Sequence, residues 1–143
     1  MSFNLMLPPI LGVVGLAIAF VIYTVMSRAS DGEDKVRGIA GQIHIGAMVF
    51  MHREYKMLLA FAAVLVVGIL VSPLGTNTAI AFTAGAVSSA TAGYLGMYAA
   101  TKANVRTAVA ANQQGAAAAL NIAFYGGSIM GLCVASLLSL IHI

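Results

Sequence analysis

The three longest stretches of this chain without a charged residue limit what the chain can fold into: residues 1–27, 57–101 and 107–143. About twenty consecutive apolar residues suffice to cross the roughly 30 Å of hydrocarbon in a bilayer. The whole sequence is 61% hydrophobic and 8% charged, whereas a soluble domain carries roughly 25% charged residues. These values exclude a soluble globular domain, a disordered chain and a disulfide scaffold, and they indicate an all-α integral membrane protein.

The apolar runs predict four transmembrane helices, at residues 8–27, 56–71, 78–100 and 115–141. The stretch between Lys56 and Lys102 is too long for one crossing and suits two, because Ser72-Pro73-Leu74-Gly75 reads as a turn. The first run has no preceding Lys or Arg. It is therefore predicted to be a retained helix and not a cleaved signal peptide.

Residues 36–52 form an amphipathic segment that precedes the short second span. Its apolar residues recur at helical spacing, at Val36, Ile39, Ala40, Ile43, Ala47 and Phe50. Such a segment either lies on the cytoplasmic membrane surface or extends the second helix into the cytoplasm. Its position directly before the short span favours the extension.

The basic residues predict the orientation. All of them lie in two connecting segments: Arg28, Lys35, Arg37, Arg53 and Lys56 in the first, Lys102 and Arg106 in the second. With four crossings, both segments fall on one side of the membrane, and the positive-inside bias makes that side cytoplasmic. We therefore expect a multi-pass membrane protein, in the plasma membrane if its source is bacterial, with both chain ends non-cytoplasmic. Because these cations flank spans and form no surface stripe, no nucleic-acid partner is predicted.

Small residues at four-residue spacing predict helix packing in the third and fourth helices. They are Gly85, Ser89 and Gly93 in the third helix, and Gly127 and Gly131 in the fourth. Such faces let membrane helices approach closely. Either they form a dimerisation face, or they pack against helices of the same bundle, which we favour. Four helices offer few neighbours, so these faces indicate a larger bundle.

The acidic residues are too few and too localised for ion or phosphate chemistry. Asp31, Glu33, Asp34 and Glu54 all lie in the first connecting segment, and no predicted span contains a carboxylate of the kind that marks proton relays. The Asp31–Asp34 sequence suits a solvated turn better than a cation loop. His44 and His52 lie on the order of 12 Å apart along a helix, too far for one metal. The sequence therefore predicts no catalytic, cofactor-binding or metal-ligating residue in this chain.

Three motifs nevertheless resemble a known family when taken in order. They are IAGQIHIGAMVFMHREYK at 39–56, AGYLGMYAATKANVRTAVAA at 92–111 and AFYGGSIMGL at 123–132. In this order and spacing they resemble the N-terminal part of the membrane-integral pyrophosphatases, the pyrophosphate-energised ion pumps. The resemblance covers residues 36–143; the first helix is similar only in position and apolarity.

The resemblance implies a fold of about sixteen transmembrane helices that works as a homodimer, of which this chain would supply the first four. It implies hydrolysis of magnesium pyrophosphate coupled to proton or sodium translocation, with Mg²⁺ as cofactor and K⁺ as a candidate activator. The partners implied are the remainder of the same polypeptide, a second copy, the substrate and the bilayer. Such a site needs several carboxylates to hold the metals, so we expect the reaction centre to lie outside this chain and the fragment alone to be inactive.

Two questions stay open at the level of sequence. Lys102, Asn104 and Arg106, expected in a turn before the fourth helix, either support the cytoplasmic mouth of the pump or, as we favour, anchor the chain at the interface. The alternative to the pump is a free-standing four-helix membrane protein with a structural or interaction role.

Overall fold

The computed structural model describes residues 3–141, which form four α-helices: α1 (Phe3–Ser27), α2 (Asp34–Val71), α3 (Gly75–Gln114) and α4 (Ala116–Ile141). The all-helical prediction is confirmed for this part of the chain. By length and composition α2, α4 and the part of α1 from Met6 onward could cross a membrane. Helix α3 is rich in Gly, Ala, Ser and Thr and does not reach the same hydropathy. Its crossing at 78–100 stays a prediction.

The helix ends follow from local backbone chemistry. After α2 the amide N–H of Ser72 donates to the carbonyls of Gly68 and Ile69, at 3.1 and 3.2 Å. Pro73 follows and cannot continue the helical hydrogen bonding, because it has no N–H. Between α3 and α4, Gly115 has a φ of +90°, which lies in the left-handed region that favours glycine. The break after α2 was predicted from sequence. At the second break the sequence predicted only the start of the fourth helix near Gly115, with the third helix ending near residue 100.

Helix α3 extends well beyond the predicted crossing. Lys102, Asn104 and Arg106 lie on this continuous helix, so the expectation of a turn at these residues is wrong. The sequence from these residues to Gly115 contains no Gly or Pro and is rich in Ala, the best helix former. Nothing therefore interrupts the helix before Gly115.

The amphipathic segment 36–52 belongs to α2, which continues without a break through the second predicted span. This is the extension that the sequence favoured. The apolar stripe nevertheless faces away from the other described helices, since Ile39, Ile43 and Phe50 are 56–59% exposed. Met51, on another face, is buried.

Helix α4 packs between α1 and α3, and α2 packs against α3. The core lies where α1, α3 and α4 meet, and consists of Ala19, Met26, Ala99, Ala103, Ile129 and Cys133. Small residues bring these helices close together: a methyl group built on Gly126 would lie 2.5 Å from the Cβ of Ala103. Close packing of this kind is one source of helix association in lipid, together with hydrogen bonds between helices.

Hydrogen bonds between helices fix their heights relative to one another. Helices α3 and α4 run antiparallel from Gly115, so Ala90 and Ser139, almost equally distant from it along the chain, lie at similar heights. The Ser139 hydroxyl donates to the Pro8 carbonyl at 2.7 Å. The Tyr55 hydroxyl donates to the Ala90 carbonyl at 2.6 Å. The middle of α2 therefore lies level with the first turns of α1.

This arrangement separates two of the cations from the rest. Arg53 and Lys56 flank Tyr55, which bonds Ala90. From Ala90 to Arg106, α3 rises about 24 Å at 1.5 Å per residue. The first and second predicted spans consequently lie at different heights in the bundle.

Candidate functional site

A cluster of polar and aromatic side chains lies where α1 and α2 each approach α3, near the connector between α1 and α2. We call it the connector-end cluster and define it as Tyr23, His44, Tyr98, Thr101, Lys102 and Arg106. A polar group without water must find a partner inside the protein. The cluster supplies such partners across three helices.

Arg106 holds the end of α1. Its guanidinium donates to the carbonyls of Ala29 at 3.1 Å and Ser27 at 3.4 Å, and to that of Lys102 on its own helix at 2.9 Å. The last carbonyls of a helix have no partner within that helix and carry its negative dipole end. Arg106 is therefore a cap for the C-terminus of α1, supplied by α3.

The three residues predicted to act together do not converge. The Nζ of Lys102 lies 5.9 Å from the centre of the Tyr98 ring, while Arg106 bonds the end of α1. Asn104 is exposed. Residues two apart on a helix face nearly opposite directions, so Asn104 cannot share a site with its two basic neighbours. Whether Lys102 and Arg106 support a pump mouth stays a prediction.

His44 and Thr101 join α2 to α3. The His44 Nδ1 lies 2.7 Å from the Thr101 Oγ1, and the His44 ring meets the Tyr98 ring edge to face at 5.2 Å between centres. Tyr98 also packs beside Tyr23 of α1, at 6.3 Å. Sequence reasoning weighed His44 only as a metal ligand. His44 lies seven residues before Met51, which the structure buries, but the sequence alone does not show that this face is the inner one.

The connector folds around Arg37. Its side chain forms ion pairs with Asp31 at 2.9 Å and Asp34 at 3.4 Å, all at exposed positions. The hydrogen bond from Arg37 holds the pKa of Asp31 below its usual value. Gly32 has a φ of +85°. A Cβ built on it would lie 2.8 Å from a Val109 methyl, so glycine lets the connector pack on α3.

The predicted packing glycines differ in what they meet. A Cβ built on Gly93 would lie 2.8 Å from the Tyr55 hydroxyl, whereas one built on Gly85, Gly127 or Gly131 meets nothing within 4 Å. Among the described helices, α4 approaches α3 through the neighbouring Gly126 instead. Ser89 is likewise exposed. Packing of these residues against further helices stays a prediction.

Comparison with known proteins identifies the family. The family model for inorganic H+ pyrophosphatases matches residues 13–143, which is nearly the whole chain. The chain belongs to this family. The resemblance inferred from the three motifs is thereby confirmed.

Members of the H+ pyrophosphatase family from three organisms show how the match extends. A Clostridium tetani protein, named provisionally as a K(+)-stimulated pyrophosphate-energized sodium pump, is 49% identical over 122 residues, covering 85% of this chain and 18% of that protein. A K(+)-stimulated pyrophosphate-energized sodium pump of Thermotoga maritima is 39% identical, covering 85% and 17%. A K(+)-insensitive pyrophosphate-energized proton pump of Methanosarcina mazei is 38% identical, covering 90% and 19%. The chain thus spans about a fifth of the length of these relatives.

The acidic residues of this chain do not fit a magnesium pyrophosphate site. Within residues 3–141, no three or more His, Cys, Asp or Glu side chains are grouped so that they could hold a metal. Asp31 and Asp34 are exposed and engaged by Arg37, and Glu54 lies some twenty residues further along α2. Holding a metal–diphosphate complex takes several converging carboxylates.

Proposed function

We propose that this chain is the N-terminal part of a pyrophosphate-energised ion pump. The parent protein would hydrolyse inorganic diphosphate and couple that reaction to translocation of protons or sodium ions. The observation that carries the proposal is the family match over residues 13–143, supported by relatives whose names are those of pyrophosphate-energized pumps.

The role proposed for this chain is a membrane scaffold around chemistry that lies elsewhere in the parent. Its acidic residues are few and divided between an exposed connector and α2. Mg²⁺ is proposed as the cofactor of the parent, because a diphosphate needs divalent cations to offset its charge and orient the attacking water. Potassium stimulation is named for some relatives and potassium insensitivity for others, so K⁺ is a candidate activator only.

The proposed partners follow from surfaces that the described helices leave uncovered. Large apolar side chains such as Phe20, Phe61 and Phe124 are 63–71% exposed. Extensive exposed apolar surface marks contact with a membrane or with another protein surface. Lipid and the remaining helices of the parent would cover them, and the parent would form a homodimer. Gly85, Gly127 and Gly131 are proposed contact points for those helices.

The proposed orientation places the α1–α2 connector and the break at Gly115 between α3 and α4 in the cytoplasm, with both ends of the chain outside. Arg28, Lys35, Arg37, Lys102 and Arg106 all lie toward that end of the bundle, and cytoplasmic ends of membrane helices carry the excess of Lys and Arg.

Sealed vesicles containing the full-length parent test the proposal. Adding magnesium pyrophosphate is expected to acidify the vesicles or load them with sodium, and an ionophore for the transported ion should abolish the gradient while hydrolysis continues. Hydrolysis without any ion gradient would contradict the pump. A natural stop codon directly after Ile143 in the source DNA would favour the free-standing four-helix protein.

A further inference from the structure

The contact between α2 and α3 contains a directional chain of hydrogen bonds. The Thr101 Oγ1 lies 2.7 Å from the His44 Nδ1 and 3.0 Å from the carbonyl oxygen of Tyr98. Thr101 is 8% exposed, so water does not readily replace either contact. We propose that His44 holds α2 against α3 as the Nδ1–H tautomer. Its Nδ1–H donates to the Thr101 hydroxyl, which in turn donates to the Tyr98 carbonyl. This inference does not depend on the proposed pump activity.

The proton count supports this direction. A threonine hydroxyl has one proton and two lone pairs. The Tyr98 carbonyl has no proton to give, so the contact between it and Thr101 requires the Thr101 proton. Donation from a threonine hydroxyl to a carbonyl three or four residues earlier is a common helical arrangement. The Thr101 oxygen is then an acceptor toward the imidazole, and Nδ1 must carry the hydrogen.

The opposite assignment leaves one contact unmade. If Thr101 donated its proton to Nδ1, its oxygen would face the Tyr98 carbonyl with lone pairs on both atoms. In a site with little water, an unmade hydrogen bond of this kind costs more than it does in solution. Both hydrogen bonds of the Thr101 hydroxyl can therefore form at once only with the Nδ1–H form of His44.

The assignment determines what the other ring nitrogen can do. In the neutral Nδ1–H form, Nε2 has a lone pair and no proton. His44 is half-buried, and no buried side-chain nitrogen or oxygen within the described residues lacks a partner. The unprotonated Nε2 is therefore not left as a buried atom without a partner.

Nitrogen-15 spectra of the histidine-labelled chain in detergent micelles, recorded at alkaline pH, test the assignment directly. The shifts of the two ring nitrogens and their couplings to ring protons distinguish the tautomers, and a His44→Asn variant identifies the His44 signals. We expect the Nδ1–H form to predominate at His44. His52, which is exposed on the same helix, is the internal control and should show the Nε2–H form that imidazole favours in water.

Substitutions at Thr101 separate the hydrogen bond from general packing. Thr101→Val keeps the shape and removes the hydroxyl, so the ratio of Nδ1–H to Nε2–H should fall roughly fivefold to tenfold, as one net hydrogen bond implies. Thr101→Ser should restore the ratio. A predominant Nε2–H form at His44 in the unmodified chain would overturn the proposal. So would an unchanged ratio in folded Thr101→Val. If that variant does not fold, the spectrum of the unmodified chain decides alone.

Discussion

Replacing Arg106 with Ala tests whether this residue caps α1. The change removes the donor to the carbonyls of Ala29 and Ser27, at 3.1 and 3.4 Å. A hydrogen bond to a charged group contributes about 1.5–3 kcal/mol, and a cation at a helix C-terminus about 0.3–1 kcal/mol. The longer contact adds little, so we expect a loss of about 2–3 kcal/mol in the free energy of unfolding.

The assay is equilibrium unfolding of the chain in mixed micelles, followed by helical circular dichroism. Arg106→Lys keeps the charge but reaches fewer carbonyls, so it should recover only part of the loss. Asn104→Ala, at an exposed position on the same helix, should stay within about 0.5 kcal/mol of the unmodified chain. If Arg106→Ala is as stable as Asn104→Ala, the capping role is refuted.

The same substitution in the full-length parent separates anchoring from substrate support. A residue that binds the end of α1 should lower the amount of folded pump and leave the KM for magnesium pyrophosphate unchanged. A tenfold rise in KM with unchanged thermal stability would instead favour the pump-mouth role for Arg106.

Three further predictions concern packing, pH dependence and depth in the membrane. Gly126→Ala should destabilise the chain by about 1–3 kcal/mol, the usual effect of overpacking, because its methyl group would meet α3. Gly127→Ala should be neutral or slightly stabilising in the same unfolding assay, and equal effects would contradict the packing. The folded state lowers the pKa of Asp31, so its ion pair with Arg37 stabilises the fold at pH values above the usual aspartate pKa of about 3.9. This contribution is lost as the pH falls through the lowered pKa of the folded state. Asp31→Asn should therefore remove this part of the acid dependence of unfolding, and an unchanged pH profile would contradict the ion pair's role. The depth of α2 can be tested in a variant that lacks Cys133. Lys35→Cys should react with an impermeant maleimide added on the cytoplasmic side, whereas Lys56→Cys, about 32 Å further along α2, should not. Equal labelling of the two cysteines would place the membrane edge at Lys56.

The helices and their breaks could be predicted from sequence because they depend on local chemistry. Apolar length indicates that a segment can cross a membrane, and Pro73 interrupts a helix because proline has no N–H to donate. The family could be recognised because its motifs are long and ordered. The end of α3 was predicted too early, because the prediction followed the end of the uncharged stretch at Thr101. The helix continues through the charged residues to Gln114, since helical propensity does not stop where apolarity does.

The cluster and the heights of the helices could not be predicted, because they depend on distant contacts. The role of Arg106 depends on the position of Ser27, almost eighty residues earlier, and that of His44 on Thr101. The offset between α1 and α2 follows from the bonds of Tyr55 and Ser139. Similarly, the small-residue pattern suggested Gly127, whereas the close approach uses Gly126, because a rotation of one residue about α4 decides which glycine faces α3.

We propose that this chain surrounds chemistry performed by residues outside it. Phosphate release from magnesium pyrophosphate, measured in parallel for purified 1–143 and for the full-length parent in the same lipid, tests it most directly. We expect steady turnover by the parent and a rate for the 1–143 chain that equals the protein-free background. Turnover by 1–143 alone would contradict it.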